Sequence, residues 1–128
     1  MSDAIHQEVI FKTSPDRVYE ALMDADQHGS FTNAKAEISR EPGGSFTCHD
    51  GQIEGRNIEL VPNQRIVQAW RVANWEDGRY SVVRVELMPE GDATRLILDH
   101  AGVDDDKAEM VAAGWKVRYW EPMQSYLA

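Results

Sequence analysis

Residues 104–127 constrain this chain more than any other stretch, because no other segment is long and apolar enough to read as a long helix. Asp104, Asp105 and Asp106 open it, and acidic residues suit a helix N-terminus, where exposed N–H groups and the dipole favour negative charge. Val111, Trp115, Tyr119 and Tyr126 recur near helical spacing, with Ala113, Val117, Trp120, Met123 and Leu127 as a second stripe beside them. The two stripes make an apolar face broader than a surface helix needs. Tyr119 and Trp120 are neighbours about 100° apart around a regular helix, so at most one is expected to point straight into a partner. Gly114 is expected to let the helix approach that partner closely at Trp115. Pro122 removes the bond to the carbonyl of Arg118 and predicts a kink.

Upstream, the chain reads mostly as short strands. Residues 4–13 alternate with period two, Ile5, Val9 and Phe11 against His6, Glu8 and Lys12. Ser14 and Pro15 then start a helix with Val18, Tyr19 and Leu22 on its apolar face. Residues 24–33 read as a second short helix or a turn ended by Gly29. Strands follow over 34–40, 45–50, 53–61, 64–73, 79–88 and 93–100, separated by Pro42-Gly43-Gly44, Asp50-Gly51, Pro62-Asn63, a loop bearing Trp75, and a turn at residues 89–92. Strand, one or two helices, six strands and a long helix make an α+β domain, with short turns pairing successive strands antiparallel. A long helix lying over a bent sheet leaves a concave volume between them.

The 128 residues suit one domain over 1–128 and need no crosslink to bury a core. The single cysteine, Cys48, excludes an internal disulfide and a multi-cysteine zinc site, and fits a reducing cytoplasm. Met1-Ser2-Asp3-Ala4 lacks the basic and apolar regions of a signal peptide. The formal net charge of −9 argues against a nucleic-acid backbone or an anionic membrane as partner.

No nucleophile elbow, phosphate loop or dinucleotide fingerprint is present. Cys48-His49-Asp50 contains the residue types of a nucleophile set, but on a strand Cys48 and His49 would face opposite ways. The four histidines form no metal-binding pair, so neither metal nor cofactor is expected. His100 shares parity with Leu96 and Leu98 and is expected to face the interior, as a satisfied core histidine or as a polar group orienting a ligand. Trp75 is expected in a loop, either exposed at an interface or covering a cavity mouth.

Taken together, Ser14-Pro15-Asp16-Arg17-Val18-Tyr19-Glu20-Ala21-Leu22, then Gly55, Ile58, residues 61–67 and Trp70, then Thr94-Arg95-Leu96 through His100, and finally Gly114-Trp115, Tyr119-Trp120 and Tyr126-Leu127 resemble the activator of heat-shock protein 90 ATPase homologue-like family. That family belongs to the START-related helix-grip superfamily. The resemblance implies a seven-stranded antiparallel sheet wrapped around the C-terminal helix, with two short helices near its opening. It also implies a cavity for a small apolar or amphipathic molecule, held without a cofactor. Candidate lining residues on the strands are Phe46, Cys48, Trp70, Leu96, Leu98 and His100. Candidates on the long helix are Val111, Trp115, Tyr119, Trp120 and Met123. The alternatives are a cyclase- or hydrolase-like enzyme using the same cavity, its catalytic residues not identifiable, and a chaperone-associated or self-associating interaction domain.

Overall fold

The computed structural model describes residues 4–128. The expectation concerning a signal sequence falls mostly on residues 1–3, outside the described residues. Among the described residues, seven strands form one antiparallel sheet in the order β1-β7-β6-β5-β4-β3-β2. They are β1 (Ile5–Phe11), β2 (Glu37–Ile38), β3 (Ser45–Cys48), β4 (Ile53–Val61), β5 (Arg65–Val72), β6 (Ser81–Glu90) and β7 (Ala93–Ala101). Two helices, α1 (Pro15–Met23) and α2 (Ala25–Thr32), carry the chain from the β1 edge to the β2 edge.

Alternation explains the sheet best where strands have neighbours on both sides. In β6, Ser81, Val83, Val85 and Leu87 are buried while Val82, Arg84 and Met88 are exposed. Opposite them in β7, Leu96 pairs with Leu87, Leu98 with Val85 and His100 with Val83. The outer face carries ion pairs across the strands, His6 to Asp99, Asp99 to Arg84, Arg84 to Glu86, and Arg65 to both Glu86 and Glu59. Exposed pairs of this kind contribute little stability each.

Several boundaries differ from expectation. Helix α2 runs through Gly29 and stops at Asn33, whose left-handed backbone (φ 57°) makes it the C-cap. Strand β2 shrinks to two residues because its flanking polar groups are engaged elsewhere: Lys35 N–H donates to the Asp50 carboxylate and Asn57 donates to the Ser39 carbonyl. Pro89 lies inside β6, not in a turn. Register with β5 ends at Glu86, so a residue without an N–H is tolerated further along that free side. Trp75 is buried, edge-on to Trp70 with ring centroids 5.8 Å apart. Its loop is held by the buried Arg71 guanidinium, which donates to the Trp75 carbonyl (2.6 Å) and to Glu54 (2.6 Å).

The long C-terminal helix is continuous but not uniform. It comprises α3 (Asp105–Gly114), a π-helical segment (Trp115–Trp120) and α4 (Glu121–Tyr126). None of α3 is fully buried, and Ala113, Val117 and Tyr126 face solvent, so the second expected stripe is only partly inward. The inward set is Trp115, Tyr119, Trp120, Met123 and Leu127. In the π segment hydrogen bonds span five residues, as from Glu121 N–H to the Lys116 carbonyl. That winding brings residues five apart into line. Trp115 and Trp120 stack with centroids 5.3 Å apart and planes 14° from parallel. Both Tyr119 and Trp120 are buried, Tyr119 against His28 and Trp120 against Gln7 of the edge strand β1. The wider turn also precedes Pro122, where an α-helix would clash with the ring.

The helix also hydrogen-bonds to β1. Trp120 donates to the Gln7 side-chain oxygen (2.6 Å), Gln7 donates to the Ala112 carbonyl (3.0 Å), and Gln124 donates to the Ile10 carbonyl (3.2 Å). Among the described residues, no helix is long and apolar enough to cross a membrane.

Candidate functional site

Between the sheet and the helix lie two polar networks set in aromatic packing. The first centres on His100. The Trp115 indole N–H donates to its Nδ1 (3.0 Å), and its Nε2 lies 2.8 Å from Ser81 Oγ. Because Nδ1 accepts, the neutral ring carries its proton on Nε2 and donates to Ser81, whose hydroxyl donates to the Trp70 carbonyl (2.8 Å). Both ring nitrogens are thus committed within the protein. Burial pushes the His100 imidazole down to about 4, so it stays neutral near neutral pH. This arrangement locks a core and leaves no lone pair for proton transfer to a substrate.

The second network centres on Tyr119. Its hydroxyl lies 3.1 Å from His28 Nε2 and also meets the Cys48 thiol. The His49 ring packs edge-on against it, with centroids 5.2 Å apart. Cys48 and His49 do not face opposite ways as expected. Strand β3 ends at Cys48, and left-handed backbone at His49 (φ 52°) and Asp50 (φ 59°) turns the His49 ring back toward Tyr119. The pair still makes no nucleophile and base, since burial pushes the Cys48 thiol up to about 12 and disfavours the thiolate. Burial likewise pushes His28 down to about 4 and, with Arg118 nearby, lowers His49. His28 Nδ1 and His49 Nε2 are buried with no hydrogen-bond partner.

The space left between these side chains is about 30 Å³, bordered by Phe46, Cys48, Trp70, Trp115, Tyr119 and His28 among others. That holds a water or two, not an organic ligand. Leu96, Leu98, Trp120 and Met123 border neither this space nor the groove described next; they are packed core. A larger opening lies between the β4–β5 end of the sheet and the helix. It is an apolar groove of about 290 Å³, walled by Ile53, Trp70, Val72, Met110, Val111 and Trp115, with Gln52, Gly114, Arg118 and Tyr119 completing it. Met110 on its lip is 77% exposed. Beside it is a polar cleft of about 410 Å³ bordered by His49, Asp50, Val117 and Pro122, which shares Gln52 and Arg118 with the groove.

Gly114 does not provide a close helix-to-sheet contact, because a Cβ placed there would meet nothing within 4 Å. The close approach is at Gly55, where a Cβ would lie 1.9 Å from the Ala69 carbonyl and 2.7 Å from the Phe46 ring. Gln7, His28, His49 and Ser81 escaped the sequence reading as contributors. Gln7 and Ser81 did carry a signal, since each is a polar residue at an inward strand position.

The sequence model of the family described as Activator of Hsp90 ATPase homolog 1-like protein matches residues 12–128. The chain belongs to this family. Its relatives include the mouse activator of 90 kDa heat shock protein ATPase homolog 2, 31% identical over 124 residues, which cover 97% of this chain but 38% of the mouse protein. This chain therefore spans well under half the length of that curated relative. Among solved structures, an HSP90 activator from Plasmodium falciparum superposes with a TM-score of 0.93 at 22% identity, covering 98% of this chain and 96% of that one. The Aha1 dimer from Colwellia psychrerythraea gives 0.84 at 16% identity, covering 98% and 96%. At such identities these two structures speak to the fold, and they agree with the helix-grip arrangement of sheet and C-terminal helix.

Proposed function

We propose that this chain is a chaperone-associated domain that engages an Hsp90-type ATPase in the cytoplasm. The observation that carries the reading is its similarity, over nearly its whole length, to a segment of the mouse activator. The packed interior supports it: with about 30 Å³ left among the core side chains, recognition falls to the surface. The test mixes the purified chain with an Hsp90-type ATPase and measures complex formation by titration calorimetry and ATP turnover separately, because the chain corresponds to 38% of the relative. A complex is the expected result, with or without faster turnover. No heat of binding at 100 micromolar chain, together with unchanged turnover, overturns the reading. Self-association is an accompanying expectation, supported by the neighbour described as a dimer, and sedimentation of the chain alone tests it.

The groove supports a second reading, a small amphipathic molecule held between β5 and the helix rather than inside the core. About 290 Å³ of mostly apolar wall approaches the size of sites for small organic ligands.

A further inference from the structure

The arginines of this chain divide into two sets. Arg40, Arg65, Arg71, Arg79, Arg84 and Arg95 each meet a carboxylate. Arg118 meets none among the described residues, although the chain carries a net charge of −9. Arg17 and Arg56 also lack one, but they border neither the groove nor the cleft. Arg118 borders both, standing with Gln52 where the apolar wall gives way to the polar one. On the polar side His49 is nine-tenths buried, and its Nε2 has no partner. Asp50, the acidic residue on that wall, has a carboxylate oxygen occupied by the Lys35 N–H at 2.7 Å.

An apolar wall that ends at an unpaired guanidinium has the polarity of an amphipathic anion. We propose that the groove takes an organic molecule with an apolar, ring-sized body and an anionic head, the body against Trp70, Val111 and Trp115 and the head at Arg118. This rests on the groove reading above and names the class of ligand. A guanidinium presents several N–H donors to a carboxylate or sulfonate at once, and contact at the rim of an apolar wall is less screened than in open water. Gln52 offers a further polar contact beside the head.

Two fluorescent probes with the same aromatic body separate the two ideas: 1-anilinonaphthalene-8-sulfonate, which is anionic, and N-phenyl-1-naphthylamine, which is neutral. Both are titrated into the full chain and into three variants. Gly114→Leu places a side chain into open groove space and should abolish binding of both probes. Arg118→Gln should weaken the sulfonate about tenfold and leave the neutral probe unchanged, while Arg118→Lys should recover part of the loss. Thermal melts confirm that the variants remain folded. If the neutral probe fails to bind, or binds Gly114→Leu unchanged, the groove reading falls. If the neutral probe binds and Gly114→Leu blocks it, but the sulfonate binds wild type and Arg118→Gln alike, the anionic head alone is wrong.

Discussion

The indole N–H of Trp115 donates to Nδ1 of His100 across 3.0 Å, joining the long helix to the inner face of β7 through one polar contact in an aromatic core. Two substitutions separate the contact from the packing. Trp115→Ala removes both and should cost about 3–5 kcal/mol in urea denaturation. Trp115→Phe keeps most of the ring but leaves Nδ1 buried and unpaired, which should cost about 1–3 kcal/mol. A Phe variant as stable as wild type would show that the hydrogen bond contributes nothing.

Acid should destabilise the chain before its carboxylates titrate. His28 and His100 are each pushed by burial from 6.5 down to about 4. The unfolded chain takes up those protons at higher pH than the native one. Their contribution is therefore complete above about pH 6.5 and declines toward pH 4, by up to about 1.4 kcal/mol per pH unit for each histidine. His6 works the other way. Asp99 and then Glu8 raise it, so its contribution is present below 6.5 and lost as pH rises through its folded value. His6 is exposed and salt screens it. In 0.5 M salt, urea midpoints from pH 7 to 4.5 should fall steadily; a flat profile would contradict the buried neutral histidines.

Cys48 should be silent to thiol reagents in the native chain and react on unfolding, because its thiol is buried and pushed up to about 12. Tyr119→Phe tests the same cluster. It takes the partner from His28 Nε2 on a ring whose Nδ1 already has none. The loss should be about 1–3 kcal/mol, with faster labelling of Cys48 by a disulfide reagent. Unchanged stability and labelling would remove the hydroxyl from the structural account.

Two glycines should respond in opposite directions. Gly55→Ala drives a methyl into the Ala69 carbonyl at 1.9 Å and should cost about 3 kcal/mol or more, by forcing β4 and β5 apart. Gly114→Ala meets nothing within 4 Å on a right-handed helical backbone and should stabilise by about 0.5–1 kcal/mol. Thermal melts of the two variants check both signs.

The architecture was legible where one physical rule acted alone. Strands β6 and β7 have neighbours on both sides, so side-chain parity maps directly onto burial. Pro15 after Ser14 marked the start of α1 because that position needs no N–H. The site was less legible because it depends on departures from regularity. His49 reaches Tyr119 through left-handed backbone that a strand reading does not contain. Trp115 and Trp120 sit five apart, a spacing that means little on an α-helix and becomes a stack only when the turn widens. The space among the core rings is small for a related reason. Four aromatic and imidazole rings, Trp70, His100, Trp115 and Tyr119, pack on one another and fill the space that the curvature opens.

The π-helical turn divides the long helix into two halves that are set independently. Over residues 115–120 the chain carries more residues per turn than the segments on either side. The bearing of Met123 and Leu127 is therefore not inherited from α3; it is reset within those six residues. Regular α winding over the same six residues would swing everything downstream about 100° around the axis. Met123 and Leu127 would leave the core, while α3 and its groove-facing Val111 stayed where they are. The upstream half borders the groove, and the downstream half holds the helix in the core.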